Sequence, residues 1–328
     1  QPTDIHMLDS TAGPATTLRV GGHAVKMAAL YEKQQATSAD GKATVELLGS
    51  EKTWLEVTIE DTSTGKPTPA RVHFRAPDGR YLPPYGHRHE VNPHWFEDYG
   101  ADLILGSTEY AYVPGTFEIE LPVGEVYVEM AKGFEYRPVR QRLQIAPGQR
   151  ELKLRLERPL NLRRESWVTA DTHVHFISPT TAWLEAAAEG LNLLNLLASQ
   201  WGDLFTNVGD LSSGMFPISR DDVIVWVGTE NRQHILGHMS LLGGKGKPVF
   251  PMTTGGPDES YIGDPVMVSM AEWADRCRER EGTMCMHHFP NPLCEAAADI
   301  VLGKIDGVEI RYFKGDSLDT FHITEWYR

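Results

Sequence analysis

The sequence predicts a multidomain protein in which an N-terminal antiparallel β-sandwich precedes an α/β part built from parallel β/α units. Two observations support this class. Apolar residues alternate with polar ones from Trp54 to about residue 158, as in strands that bury one face. After Arg164, short apolar runs are separated by stretches with helical spacing, which is typical of β/α units.

Length and composition limit the classes of function. The chain has 328 residues, of which 41% are hydrophobic and 23% charged, so it is long enough for two folded domains. The formal net charge of -14 argues against nucleic acid as a partner, and we find no local basic patch. No apolar run reaches the roughly 20 residues that a membrane helix needs, so we expect no membrane span.

The domain prediction divides the chain into three parts. Residues 1–51 form an N-terminal segment of uncertain structure, with one short helix near 26–35. Residues 52–158 form the β-sandwich, because their alternating runs are separated by turn signals such as Pro77-Asp78-Gly79 and Pro147-Gly148. Residues 165–328 form the α/β part. The short charged link at 158–164 predicts that the sandwich and the α/β part pack against each other.

The elements of the α/β part follow from its periodicity and from glycines at helix ends. The predicted strands are 167–176, 191–197, 223–227, 248–252, 283–287 and 307–312. The predicted helices are 181–189, 265–281 and 295–302. Ligands of parallel β/α units bind at the carboxyl ends of the strands, so we expect the functional residues there.

The segment Asp171-Thr172-His173-Val174-His175 carries the main chemical signal. Residues two apart in a strand share a face, so the two imidazoles are expected within reach of one metal ion, with Asp171 on the same side. Neutral imidazoles bind zinc, manganese or iron, and a nearby carboxylate orients the ring. An isolated H-x-H is weak evidence and needs further ligands elsewhere.

Further candidate ligands follow other predicted strands. Glu230 follows the predicted strand at 223–227, and a carboxylate in this position could bridge two metals. The candidate histidines that come after it are His234, His238, His287 and His288. Hydrogen-bonded structural histidines remain the competing interpretation of these residues.

The ordered motifs D-T-H-V-H, G-T-E, G-H-M-S-L-L-G, H-F-P and D-G-V-E-I resemble the polymerase and histidinol phosphatase (PHP) metallohydrolases. The resemblance is to their carbaryl hydrolase-like (CehA/McbA) branch, and it spans about residues 165–328. It implies a PHP-like distorted (β/α)7 barrel. The preceding sandwich resembles carboxypeptidase regulatory-like modules, which are often found ahead of this domain.

The resemblance also implies roles for particular residues. His173 and His175 would ligate a first metal, Glu230 would act catalytically as a bridge, and His238 and His288 would ligate a second. His234 and His287 rank below them because their neighbours fit the motif less well. Asp171 would support catalysis by contacting the ligands without binding the metal itself. One or two divalent ions (Zn, Mn or Fe) would activate a water molecule for attack on a phosphoryl or carbonyl centre.

The sequence departs from the family pattern twice. Where relatives carry Asp-His after the second strand, this chain has Ser199-Gln200-Trp201, which lacks the histidine and argues against a third metal. The family's late aspartate segment would lie beyond Arg328, so we expect one metal to lack an acidic ligand in this chain. The chain opens with Gln1, which fits a periplasmic or secreted protein whose signal has been removed.

Two hypotheses of function follow. The first is a metal-dependent hydrolase acting on a small-molecule ester, carbamate, amide or phosphoester. The second is a non-catalytic surface or assembly protein with a vestigial metal site, in which the sandwich binds carbohydrate or protein. The polar segment Gly86-His87-Arg88-His89-Glu90, which aromatic residues flank, could line a substrate cleft or contact the α/β part, or it could be an ordered loop held by its own rings. Neither hypothesis fixes the substrate, and the sequence leaves a homo-oligomer open.

Overall fold

A computed structural model describes most of the residues of the chain. They are 5–6, 8, 13–47, 52–91, 101–201, 204–211, 214–220, 222–233, 236–245, 248–253, 268–289, 295–310, 313–314 and 317–318. The chain divides into two compact units, Gln1–Thr53 and Trp54–Arg328. None of the described helices is long and apolar enough to cross a membrane.

The first unit contains two β-hairpins and one short helix. Its elements are β1 (Thr17–Val20), β2 (His23–Lys26), α1 (Met27–Lys33), β3 (Gln35–Thr37) and β4 (Thr44–Glu46). β1 pairs with β2 and β3 with β4, both antiparallel. The helix expected near residues 26–35 is therefore present, and it carries the buried Met27 and Leu30.

The second unit begins with nine strands that form two facing sheets. They are β5 (Lys52–Asp61), β6 (Lys66–Pro67), β7 (Ala70–Arg75), β8 (Asp102–Leu105), β9 (Thr108–Val113), β10 (Thr116–Pro122), β11 (Gly124–Ala131), β12 (Val139–Ile145) and β13 (Glu151–Leu156). One sheet has the order β10-β5-β13, with β6 paired to β5, and the other has the order β12-β11-β7-β9-β8.

The two sheets share one apolar core, as in a sandwich. Alternating residues supply it: Val57 on β5, Phe74 on β7 and Val128 on β11 are all almost completely buried. The sandwich was predicted to be antiparallel, but it contains one parallel pair. After β12 the chain crosses from the five-stranded sheet to the other sheet, where β13 pairs with β5 in parallel. Alternation identifies the buried face of a strand but not the direction of its neighbour.

The rest of the second unit contains a seven-stranded sheet with helices. Its elements are β14 (Ala170–Val174), α2 (Pro179–Ala188), β15 (Leu193–Trp201), β16 (Leu204–Thr206), β17 (Ile224–Gln233), β18 (Gly237–Leu242), α3 (Met270–Arg278), β19 (Thr283–Phe289), α4 (Ala296–Val301), β20 (Gly307–Ile310), β21 (Phe313–Lys314) and β22 (Ser317–Leu318). The sheet order is β14-β15-β17-β18-β19-β20, with β16 paired to β15. β21 and β22 form a separate two-stranded ladder.

The predicted PHP-like distorted (β/α)7 barrel is wrong. The structure is 45% strand and 15% helix, and its described residues include four α-helices, too few for seven β/α units. Its sheets resemble a sandwich or half-barrel. The structure departs from the predicted barrel at residues 237–242, which form the strand β18 antiparallel to β17. Residues 248–252, which were predicted as a strand, form none. A hairpin replaces a helical crossover at this point, and a hairpin needs no covering helix.

Contacts within the second unit join the sandwich to α2. The Lys132 ammonium donates to the backbone carbonyls of Pro69 and Ala187, the latter at the carboxyl end of α2. Arg71 donates to the Glu189 carboxylate at 2.7 Å. A cation at a helix carboxyl terminus also offsets the helix dipole, so these contacts fix α2 to the sandwich as the short link predicted.

Candidate metal centre

Strand direction brings the candidate residues to one edge of the seven-stranded sheet. β14, β15 and β17 run parallel, β18 is antiparallel to both neighbours, and β19 and β20 again run parallel to β17. The carboxyl ends of five strands therefore share an edge with the amino end of β18. The side chains near this edge are those of His173, His175, Ser199, Glu230, Arg232, His238, Ser240, His287 and Glu309.

Glu230 lies at the centre of this group and is 0% exposed. Its Oε2 atom is 2.9 Å from Nε2 of His175. The Ser199 hydroxyl donates to the same oxygen at 3.5 Å and lies 3.3 Å from Nδ1 of His175. His175 follows β14 directly, and the next residue, Phe176, has a left-handed φ of 64° that turns the chain toward α2.

The other carboxylate oxygen of Glu230 faces three nitrogen atoms. Nη1 of Arg232 donates to Oε1 at 3.0 Å. Nδ1 of His238 and Nδ1 of His287 each lie 3.3 Å from the same oxygen. The cross-strand pairs Glu230–Ser240 and Arg232–His238 explain this convergence, because directly paired residues present their side chains on one face.

His173 extends the group toward β20. Its Nδ1 lies 3.0 Å from Oε2 of Glu309. Its ring stacks on His287 with centroids 3.9 Å apart and an interplanar angle of 12°, and it meets His175 edge-on at 4.9 Å. The opposite nitrogen of His287, Nε2, contacts the Ser240 hydroxyl. The strands β14, β17, β18 and β19 thus bring four imidazoles close to one carboxylate.

The donor set fits a divalent cation. One ligand atom from each of His173, His175 and Glu230 lies within 4.8 Å of the other two. A carboxylate oxygen has two lone pairs, whereas three nitrogen atoms approach Oε1 of Glu230, so not every imidazole that faces it can donate a hydrogen bond to it. A cation bound between these groups would accept the lone pairs of the imidazole nitrogens and of the carboxylate oxygens together. Zinc, manganese and iron all take such mixed nitrogen and oxygen ligands.

The charge states follow from burial and from these contacts. Burial raises the pKa of the Glu230 carboxyl, but hydrogen bonds with His175, His238 and His287 outweigh burial and hold that pKa well below its usual range. Burial lowers the pKa of His287. Burial also lowers the pKa of His173, but the hydrogen bond with Glu309 and the charge of Glu230 outweigh burial and raise that pKa. At neutral pH Glu230 is therefore an ionised carboxylate and His287 a neutral imidazole.

The structure brings together most of the predicted ligands. His173, His175 and Glu230 form the compact group, and His238 lies beside it. Asp171 is exposed, and its carboxylate accepts from the backbone N–H of His173 at 3.1 Å. This hydrogen bond stabilises the backbone of β14 at His173. The catalytic role predicted for Asp171 stays a prediction. The side chain of His288, and His234 as a whole, lie outside the described residues.

The sequence motifs ranked His287 below His288 as a ligand and assigned no role to Glu309, Arg232 or Ser199. His287 is buried against Glu230, and Glu309 contacts His173 from β20. Strand alternation could have placed Arg232 on the same face as Glu230, because the two are two residues apart. The signal for Glu309 was weaker, because it was only one polar residue within the predicted strand 307–312.

Other candidate residues lie elsewhere. In the sandwich, Nδ1 of His87 is 2.7 Å from Oδ1 of Asp102, and the Arg88 backbone N–H donates to Oδ2, so this polar segment has a structural pairing of its own. Burial raises the pKa of the Cys277 and Cys285 thiols to about 11, so neither is a thiolate near neutral pH.

The chain matches no protein-family model, no curated protein and no solved structure. The resemblance to the PHP metallohydrolases and their CehA/McbA branch therefore stays a prediction drawn from the motifs. What can be argued about function rests on the geometry of the histidine and glutamate cluster.

Proposed function

We propose that this protein is a metal-dependent hydrolase whose metal centre is held by His173, His175 and Glu230. The observation that carries the proposal is the approach of these three donor groups to within 4.8 Å of one another at the edge of the sheet. A cation bound there would lower the pKa of water toward about 7 and polarise a substrate oxygen. Esters, carbamates, amides and phosphoesters are the substrate classes that this chemistry serves.

Partial exposure of the cluster favours a catalytic site over a closed structural one. The side chains of His173, His175 and His238 are 15%, 10% and 18% exposed, whereas Glu230 and His287 are almost fully buried. A structural metal site encloses its ion with protein ligands, and a catalytic site keeps one side open. Glu230 and His287 thus form the buried part of the cluster, and the imidazoles of His173, His175 and His238 form its accessible part.

The surrounding residues hold the ligand side chains in place. The Ser199 hydroxyl contacts His175, Arg232 fixes one oxygen of Glu230, and Ser240 contacts His287. Preorganised ligands lose little conformational entropy when a cation binds. His238 lies at the rim with its Nδ1 toward Glu230 and is placed to exchange a proton with a molecule entering from solvent.

One observation favours the second hypothesis, a non-catalytic protein with a vestigial site. Arg232 is buried and its guanidinium lies 3.0 Å from Oε1 of Glu230, so this cation compensates the buried carboxylate without a metal. In that case the histidines would form a hydrogen-bonded network that stabilises the sheet, and the sandwich would carry the binding function.

Metal analysis combined with turnover separates the two hypotheses. Purified protein is stripped with a chelator and reloaded with Zn²⁺ or Mn²⁺, and bound metal per chain is measured by elemental analysis. Hydrolysis of p-nitrophenyl acetate, p-nitrophenyl phosphate, bis-p-nitrophenyl phosphate and an aryl carbamate is then followed. We expect at least one bound ion, together with turnover that the chelator abolishes and metal restores.

Two variants complete the test. His175→Ala should lose both metal and turnover, whereas His23→Ala should keep both, because His23 pairs with Asp40 in the first unit. Bound metal without turnover of any substrate class would favour the non-catalytic hypothesis. Equal metal content in wild type and His175→Ala would show that the site is assigned to the wrong residues.

A further inference from the structure

We propose that Glu309 is a positioning residue that holds the His173 imidazole in the tautomer and orientation required for metal binding through Nε2. The inference rests on the proposed metal centre and extends it by a residue from β20. Glu309 would touch neither metal nor substrate. It would act through His173.

The geometry supports a direct hydrogen bond between the two side chains. Nδ1 of His173 lies 3.0 Å from Oε2 of Glu309, although 136 residues separate them along the chain. The two side chains are 15% and 31% exposed, so the contact is partly shielded from solvent. Pairing of β20 with β19 in parallel brings Glu309 to the edge of the sheet where His173 lies.

An imidazole needs such a partner because its two nitrogens are chemically distinct. In the neutral ring one nitrogen carries the proton and the other has the lone pair that binds a metal. A carboxylate that accepts from Nδ1–H fixes the proton there and directs the lone pair of Nε2 toward the cation. The same hydrogen bond raises the basicity of the ligating nitrogen.

Neighbouring rings restrict His173 but do not select its tautomer. The ring is stacked on His287 at 3.9 Å and meets His175 edge-on at 4.9 Å, so its plane is fixed by packing. A 180° rotation about the Cβ–Cγ bond would leave the ring in the same plane and exchange Nδ1 with Cδ2 and Nε2 with Cε1 at little steric cost. The hydrogen bond to Glu309 distinguishes the two orientations, which is the specific role that we assign to it.

A purely structural ion pair is the competing explanation. In that case the Glu309 carboxylate would stabilise β20 against β14, and its removal would reduce stability without changing the metal centre. Measurements of the metal centre itself, made on folded protein, separate a positioning role from a structural one.

The experiment compares the wild type with Glu309→Ala, Glu309→Gln and the control Glu56→Gln, which replaces an exposed glutamate on a sandwich strand. Each metal-free protein is first checked for folding by circular dichroism. Zn²⁺ affinity is then measured by competition with a chromophoric chelator. Visible absorption of the Co²⁺-loaded proteins reports the ligand field, which a loss of stability alone would not alter.

We expect Glu309→Ala to bind Zn²⁺ about 10- to 100-fold more weakly and to change the Co²⁺ spectrum, as for loss of a carboxylate that supports a ligating histidine. Glu309→Gln keeps an acceptor oxygen without the charge, so it should be intermediate. Glu56→Gln should match the wild type. If Glu309→Ala does not fold, the Glu309→Gln affinity and spectrum decide.

The possible failures are distinguishable. If the wild type binds Zn²⁺ and both Glu309 variants bind it within twofold with an unchanged Co²⁺ spectrum, the positioning role is wrong and the proposed metal centre stands. If the wild type binds neither Zn²⁺ nor Co²⁺, the proposed function fails and this inference fails with it.

Discussion

Nδ1 of His287 lies 3.3 Å from Oε1 of Glu230, and 57 residues separate the two along the chain. The pair spans β17 and β19, which run in the same direction on either side of the antiparallel β18. This relationship explains why a buried carboxylate is surrounded by imidazoles. Each comes from the end of a strand, and the sheet order brings these ends together.

Bound metal should raise the thermal stability of the protein. A ligand that binds only the folded state at 100 times its Kd adds about 2.7 kcal/mol to the unfolding free energy. For a unit of this size that corresponds to a Tm increase of roughly 5 °C. Differential scanning fluorimetry with and without Zn²⁺ should show the shift in wild type and His23→Ala but not in His175→Ala. A shift of equal size in His175→Ala would contradict the assigned ligands.

Removing the buried carboxylate should destabilise the metal-free protein strongly. Glu230→Ala removes the carboxylate that lies 3.0 Å from the buried Arg232 guanidinium, and breaking a buried ion pair costs about 3–5 kcal/mol. Urea unfolding measures the loss. Glu157→Ala, which removes an exposed partner of Arg137, should cost no more than about 1 kcal/mol.

A double variant tests the cause of that loss. Replacing both Glu230 and Arg232 by methionine removes the two buried charges together, so Glu230→Met with Arg232→Met should be more stable than Glu230→Ala. If the double variant is as unstable as the single one, packing around Glu230 rather than its charge accounts for the effect.

Stability should fall as the pH rises from about 4 to 7 because of Asp299. This carboxyl on α4 is 0% exposed, and within the described part of the chain neither of its oxygens has a hydrogen-bond partner. Burial, with a smaller contribution from Glu295 and opposed by Lys304, raises the pKa of Asp299 from 3.8 to about 7. The folded state thus binds more protons than the unfolded state across this window. The contribution of Asp299 to stability is therefore fully present at low pH and is lost as the pH rises through the pKa of the folded state.

Asp299→Asn isolates this contribution. The variant should be more stable than the wild type above pH 7, by up to about 4 kcal/mol, with the difference decreasing toward pH 4. Urea unfolding across the pH range measures it, and Glu279→Gln on the surface should leave the wild-type profile unchanged. A constant difference between wild type and Asp299→Asn at every pH would mean that the carboxyl does not titrate in this window.

Gly133 should tolerate no side chain, because it approaches the carboxyl end of α2. Its φ is +50°, and a Cβ built there would overlap the backbone carbonyl of Glu189. We expect Gly133→Ala to cost more than about 2 kcal/mol in urea unfolding, through backbone strain plus displacement of α2. Gly148→Ala is the matched control. Gly148 also has a positive φ, +73°, but its Cβ would meet open space, so only the strain should remain.

Local pattern predicted many elements of the second unit but not their arrangement. The strand predicted at 191–197 corresponds to β15 and the helix at 181–189 to α2, because period and turn residues are properties of a short segment. The barrel prediction failed at 237–242, where the sequence gives no sign of direction. Whether the chain crosses over by a helix or turns back as a hairpin depends on packing against β17 and β19.

The sequence by itself determined where imidazoles and a carboxylate with the chemistry of metal ligands lie near strand ends. His173, His175 and Glu230 lie near strand ends, and period two places the first two on one face. Only the tertiary structure decided that Arg232, His287 and Glu309 join them, since those contacts depend on strand order and register across the sheet. The physical reason is that residue chemistry and local period are encoded in adjacent residues, whereas strand neighbours are selected by burial summed over the whole sheet.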